Sequence, residues 1–192
     1  MALEQVDLDA LGLSHGDASR IDGTVAVGEV DLGGQGYLPS PPEPPVRVDV
    51  SRTSAGYALR LRFEVALEGP CFRCLEPASN LVAVDVREVD QPVEGVAGTP
   101  PGSRPGVDEG DEDEDEASAA ELTSPYVEDG VLQLDRWSRD ALILALPNQI
   151  LCREDCRGLC AYCGESLNGA DPEAHDHGQN LDPRWSKLRD LG

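Results

Sequence analysis

Apolar and polar positions alternate most regularly in the middle of the chain. Val46, Val48 and Val50 are interleaved with Arg47 and Asp49, and Tyr57, Leu59, Leu61, Phe63 and Val65 keep the same spacing. A period of two places every apolar side chain of a strand on one face. Ser54-Ala55-Gly56 between the two runs predicts a hairpin turn, and Val82, Val84 and Val86 supply a third strand. Residues 46–94 are therefore expected to form an antiparallel β-meander. Upstream, Val25, Val27 and Val30 make a shorter strand-like pattern. The five prolines from Pro39 to Pro45 follow; lacking backbone donors for a sheet ladder, they predict a stiff connector that completes an N-terminal extension over residues 1–45. Beyond residue 121 the pattern changes. Trp137, Leu142, Leu144 and Leu146 predict a helix with a broad apolar face, capped by Asp135 and stopped by Pro147. Residues 95–121 are Gly, Pro, Ser and acid without apolar periodicity, which predicts a disordered insert.

These elements give an α+β fold in which an antiparallel meander is packed by one main helix and followed by a loop-rich C-terminal module. Residues 46–94 and 122–192 are expected to form one domain. The length of 192 residues, 40% of them hydrophobic, agrees with a single ordinary core. No apolar run is long enough to span a bilayer, and acids interrupt the opening stretch where a secretory signal would be apolar. A cytoplasmic protein without a membrane role is the expectation.

Charge narrows the range of partners. The chain holds 15 Lys and Arg against 37 Asp and Glu, a formal net of -22. Eight acids and no base stand in DEGDEDEDE, residues 108–116, and this stretch reads as a solvated linker. A field of this sign repels phosphates, so direct nucleic-acid binding is disfavoured, whereas a basic ribosomal protein or assembly factor would be attracted.

The cysteines carry the chemistry. All six fall in close pairs, Cys71/Cys74, Cys152/Cys156 and Cys160/Cys163, and His175/His177 add a fourth pair. Disulfides, a redox thiol pair and a metal site compete for this pattern. A reducing cytoplasm disfavours the first. A redox C-x-x-C usually opens a helix, but Cys71 follows a strand and Pro77 soon interrupts the chain. Four pairs supply eight N or S ligands, enough for two closed tetrahedral zinc sites. One arrangement joins Cys71, Cys74, Cys152 and Cys156, and lets Cys160, Cys163, His175 and His177 close a local second site. The other joins Cys71/Cys74 to Cys160/Cys163 as a single four-cysteine ribbon and leaves the remaining pairs free. The zinc count is thus one or two. Loop length favours the two-site arrangement, because the span from Cys163 to His175 resembles a zinc-finger loop. No Gly-rich phosphate loop, H-E-x-x-H or G-x-S-x-G is present, so no catalytic residue and no organic cofactor site is expected.

CFRCLEP after a strand, LILALP closing a helix, LCREDCRGLCAYCGESLN and the terminal DPRWSKLRDL together resemble the YceD-like family of large ribosomal RNA subunit accumulation proteins. The likeness runs over residues 46–191 apart from the acidic insert. It places the family's C-x-R-C on Cys71, Arg73 and Cys74, and its second cysteine block on Cys152, Cys156, Gly158, Leu159, Cys160, Cys163 and Gly164, followed by Leu167 and Asn168. His175-Asp176-His177 stands where many members carry C-x-C, an exchange that zinc tolerates. Some members keep only the counterparts of Cys71, Cys74, Cys152 and Cys156, which supports treating these four as one unit. The resemblance implies a bacterial or plastid factor of large-subunit biogenesis, needed for accumulation of its ribosomal RNA, with no enzymatic reaction attached. The alternatives are an RNA-processing or thiol-redox enzyme and a directly RNA-binding zinc protein, the last helped by Arg153, Arg157 and Arg184.

Overall fold

The structure, a computed structural model, describes residues 2–91, 122–171, 175 and 177. The insert expected at 95–121 lies outside the described residues. Among the described residues, nine strands and one α-helix follow in order: β1 (Gln5–Asp7), β2 (Ala18–Thr24), β3 (Val30–Leu32), β4 (Gln35–Ser40), β5 (Pro45–Arg52), β6 (Tyr57–Pro70), β7 (Pro77–Asp90), β8 (Val127–Glu128), β9 (Val131–Gln133) and α1 (Leu134–Leu144). A predominance of antiparallel sheet with one helix among the described residues agrees with the α+β class. None of the described helices is long and apolar enough to cross a membrane.

The chain divides into two compact units. The first comprises Met1–Val30, Leu38–Leu67 and Leu81–Pro147, the second Asp31–Tyr37, Glu68–Asn80 and Asn148–Gly192. The larger sheet runs β2-β5-β6-β4-β3, with β7 also paired to β6. β2 and β5 are antiparallel, as are β5 and β6, with Val48 opposite Leu61 and Val50 opposite Leu59. The six-residue return from β6 to β7 permits only an antiparallel hairpin. The expected meander is therefore present as β5-β6-β7.

Its alternation has the predicted consequence. Val46, Val48, Val50, Leu59, Leu61, Phe63, Val65, Leu67, Val82 and Val84 are all buried. At ~1.5–3 kcal/mol for each fully buried aliphatic or Phe side chain, this face is the main driving force of the first unit. The opposite face carries ion pairs, Arg20 and Arg62 both on Asp49, Arg47 on Asp22 and Arg60 on Asp85. The turn after β5 is also where it was expected. Thr53 N–H donates to the Gly56 carbonyl at 2.8 Å. A Cβ on Gly56 would meet the Asp90 carbonyl oxygen at 1.9 Å, so only glycine fits this approach.

Three local expectations need correction. Of the strand-like pattern Val25, Val27 and Val30, only Val30 lies in a strand, the three-residue β3; the longer strand of this region is β2, seven residues of which only Ile21 is a large aliphatic. Its partner contacts are ladder bonds and surface ion pairs, which leave no apolar period. Val25 and Val27 are buried outside any strand, their N–H groups donating to the carbonyls of Pro44 and Pro42. The proline stretch is thus more than a connector. Pro39 sits in β4 and Pro45 opens β5, because proline loses its donor but keeps its acceptor.

The third correction concerns the helix. Gln133 occupies the cap position, and Asp135 lies in the first turn, its N–H donating to the Glu4 carbonyl at 3.1 Å. Leu134, Trp137, Ser138, Ala141 and Leu142 form the buried face, with the rings of Tyr126 and Trp137 6.1 Å apart. The helix ends at Leu144, which is 83% exposed. Leu146 falls beyond the last turn and is only half-buried, so neither leucine continues the apolar stripe. A small sheet of order β1-β9-β8 completes the first unit.

Candidate metal centres

The second unit is built around cysteine turns. Between β6 and β7, Cys71-Phe72-Arg73-Cys74 folds back on itself. Leu75 N–H donates to the Cys71 carbonyl at 3.0 Å and Cys71 N–H to the Glu76 carbonyl at 2.7 Å. Cys160-Ala161-Tyr162-Cys163 repeats the same two bonds, Gly164 N–H to the Cys160 carbonyl at 2.9 Å and Cys160 N–H to the Glu165 carbonyl at 2.8 Å. In both turns the residue after the second cysteine is left-handed, with φ 64 at Leu75 and φ 74 at Gly164. This conformation aims successive N–H groups inward, towards the sulfurs.

Two groups of four ligand atoms result. Cys71, Cys74, Cys152 and Cys156 form one, and Cys160, Cys163, His175 and His177 the other; within each, the donor atoms all lie within 4.8 Å of one another. The sulfurs of Cys71 and Cys156 are 3.7 Å apart, those of Cys74 and Cys152 3.5 Å, and the Cys163 sulfur is 3.5 Å from His175 Nδ1. All six cysteines are free thiols. The structure brings together the sets of the two-site arrangement and does not join Cys71/Cys74 to Cys160/Cys163 as one ribbon. Either set can hold a metal ion.

The two sets differ in exposure. Cys71, Cys74 and Cys156 are buried and Cys152 is half-buried, whereas in the second set only Cys160 is buried and Cys163 and His177 are exposed.

Electrostatics separates the thiols within each set. Burial opposes ionisation of Cys71, but the N–H groups of Cys152, Cys74 and Arg73 outweigh it and hold the thiol down at about 6. Burial, reinforced by the neighbouring Cys74, Cys156 and Cys71 sulfurs, pushes Cys152 up to about 12. In the second set the N–H groups of Cys163 and Tyr162 bring Cys160 to about 6. The first cluster on its own thus carries a readily formed thiolate, Cys71, beside Cys74 and Cys152, which resist ionising, and the second carries Cys160 beside Cys163, which resists it too. A cation at the centre removes that conflict, because it favours the thiolate at every ligand.

Several supporting residues were not singled out as functional from the sequence. Arg73 Nη1 donates to the Cys156 carbonyl at 3.0 Å. Asn168 accepts from Arg157 N–H at 2.9 Å through Oδ1 and donates from Nδ2 to the Cys156 sulfur at 3.5 Å. Gly158 has φ 78, and a Cβ there would stand 3.1 Å from the Arg73 carbonyl oxygen. Each contact joins residues eleven to eighty-five positions apart, so spacing gave no signal, although the family motif included Arg73, Gly158 and Asn168. Of the arginines proposed for RNA contact, Arg153 pairs with Asp155 at 3.4 Å, Arg157 is exposed, and Arg184 lies outside the described residues.

A mainly antiparallel β protein with two four-donor clusters held on matching cysteine turns belongs to the class of small cysteine-turn proteins with potential metal centres. Comparison makes the assignment specific. The family model described as Large ribosomal RNA subunit accumulation protein YceD matches residues 59–192, and the chain belongs to the YceD family. It is 42% identical over 66 residues to an uncharacterised protein of Mycobacterium leprae, covering 34% of this chain and 29% of that protein. An uncharacterised protein of Mycobacterium tuberculosis is 35% identical over 123 residues, 64% of this chain and 49% of the relative. The Zea mays protein named Large ribosomal RNA subunit accumulation protein YCED homolog 1, chloroplastic, is 30% identical over 179 residues, 84% of this chain and 59% of its own length. The chain thus spans between about a third and three fifths of the curated relatives it matches. No solved structure matches it significantly.

Proposed function

We propose that this protein is a zinc-stabilised, non-enzymatic factor required for accumulation of large-subunit ribosomal RNA, acting through contacts with a basic ribosomal protein or assembly factor. The observation that carries the reading is the pair of four-donor sets in a member of the YceD family. With Zn–S bonds of ~2.3 Å, the edge of a tetrahedral four-sulfur site is about 3.8 Å, and a sulfur–nitrogen edge is about 3.6 Å. The 3.7 and 3.5 Å sulfur separations and the 3.5 Å separation of Cys163 from His175 fit those edges. Thiolate-rich sets also select zinc over hard cations.

Cys71, Cys74, Cys152 and Cys156 would hold one ion, and Cys160, Cys163, His175 and His177 the second. Bound there, zinc supplies a cross-link between chain segments. Four protein ligands leave no open coordination position for substrate, the arrangement of structural rather than catalytic zinc. The net charge of -22 supports a basic protein partner.

The test is genetic and analytical. Elemental analysis of the reduced, purified chain should find about two zinc ions, as two tetrahedral sites require. Loss of the gene should lower the ratio of large- to small-subunit ribosomal RNA, and the native chain should restore the ratio while Cys74→Ser does not. Full restoration by Cys74→Ser would separate the metal from the function, and an unchanged ratio on gene loss would refute the role itself.

A further inference from the structure

One short hairpin carries ligands of both clusters. Residues 156–160 and 165–168 pair through the antiparallel bridge of Leu159 with Ser166, the bond from Leu167 N–H to the Gly158 carbonyl at 2.8 Å, and the bond from Cys160 N–H to the Glu165 carbonyl. The tip presents Cys160 and Cys163. The base presents Cys156, and opposite it Asn168.

Asn168 uses both ends of its amide at that base. Oδ1 accepts from Arg157 N–H, and Nδ2 points at the Cys156 sulfur. Its own N–H donates to Ser166 Oγ at 3.3 Å. In sequence, Asn168 lies between Cys163 and His175, inside the loop that the second cluster closes. The residue that touches a sulfur of the first cluster therefore lies within the loop that the second would close.

We propose that Asn168 is a positioning residue that couples the two clusters, so that metal in the exposed Cys160/Cys163/His175/His177 set strengthens metal retention by the buried Cys71/Cys74/Cys152/Cys156 set. The inference rests on the metal reading above. The physical route is direct. An N–H donor at a thiolate withdraws charge from it and fixes its orientation, and partners of this kind are worth about 10–100-fold in metal affinity. With the second cluster open, the stretch that carries Asn168 loses its anchor at His175, and holding the Asn168 amide against the sulfur then costs chain entropy that the closed loop has already lost.

Chelator-driven zinc release from the full-length chain tests this. Cys163→Ser combined with His175→Ala should leave one zinc equivalent, and that ion should leave about 10-fold faster than the slow ion of the native chain. Asn168→Asp keeps the acceptor for Arg157 but replaces the donor with a carboxylate. It should produce the same acceleration, and the three substitutions together should produce no more than either change alone. Leu167→Ala trims the neighbouring side chain but keeps the backbone bond to Gly158 and the Asn168 amide, and should leave the slow rate unchanged. With cobalt in the first cluster, Asn168→Asp should also move the sulfur-to-metal charge-transfer band to longer wavelength, because a thiolate without its donor is more electron-rich; Leu167→Ala should not.

An unchanged slow rate in either emptied-site or Asn168 variants would overturn the coupling, as would multiplying effects in the combined chain or equal acceleration by Leu167→Ala. A native chain that retains no zinc at all would instead refute the metal reading.

Discussion

Leu75 and Gly164 occupy equivalent places in two matching turns, yet only glycine adopts a left-handed conformation without steric cost. For an L-residue with a side chain the cost is about 1–2 kcal/mol. Leu75 is 58% exposed and gains little from burial in exchange. Leu75→Gly is expected to raise the denaturant midpoint of the reduced, metal-loaded protein, with a gain of about 1 kcal/mol after the extra flexibility of glycine in the unfolded chain is counted. A lower midpoint would show that the leucine side chain contributes more where it lies than the strain costs. At this scale the eight candidate ligands were legible because close pairs are a local signal. Their supports were not. An asparagine that bonds a sulfur and an arginine that bonds a distant carbonyl look like ordinary surface residues until the chain folds.

Strands β5, β6 and β7 were legible for the same reason that they are stable, since one face is apolar along β6 from Tyr57 to Leu67 and over Val46–Val50 of β5 and Val82–Val86 of β7. β2 was not, because its ladder bonds and ion pairs involve polar residues, and β1 and β9 are each three residues long, too short for any period to register. The helix was visible, but its limits were not. Leu144 and Leu146 have the composition of a continuing helix, whereas the chain turns away after Leu144. The base of the acidic insert can be tested as an element. Gln91 N–H donates to the Leu122 carbonyl at 3.0 Å, and Ser124 N–H to the Asp90 carboxylate at 3.2 Å, so the chain returns to its point of departure. Replacing residues 92–121 by a short Gly/Ser connector should preserve the fold and the metal content. Loop closure costs ~0.6 kcal/mol less for each halving of length, so shortening by about eightfold should add about 2 kcal/mol of stability. Circular dichroism and denaturant titration would read this out, and unfolding of the shortened chain would make the insert a part of the structure.

The two units differ in what holds them together. The first buries the sheet face and the Trp137 side of the helix. In the second, the buried hydrophobic positions apart from cysteine are Tyr37, Ala78 and Ile150 among the described residues. So small a set does not offset the chain entropy of its loops, and a metal cross-link is the alternative source of stability in small modules. Removing metal with a chelator under reducing conditions is therefore expected to deprotect backbone amides of Asn148–Tyr162 and of the Cys71 turn in hydrogen exchange. Amides of β5 and of Tyr57–Leu67 should stay protected. Simultaneous loss in both units would mean that the first unit depends on the metal as well.

Cys74 and Cys152 meet although 78 positions separate them, while Cys163 and His175 stand 12 apart. A ribosome adds about 5–20 residues per second. The sulfurs of Cys71 and Cys74 therefore emerge roughly 4–16 s before their partners have been made, whereas the later set is complete within about 1–4 s of its first cysteine. For that interval the early pair is a bare dithiol on a nascent chain, open to oxidation or to any passing metal. On the zinc-bound reading proposed above, a cell that makes this protein well would have to keep thiols reduced and zinc at hand during synthesis, and oxidative stress or zinc scarcity would deplete newly made chains before it reached those already folded.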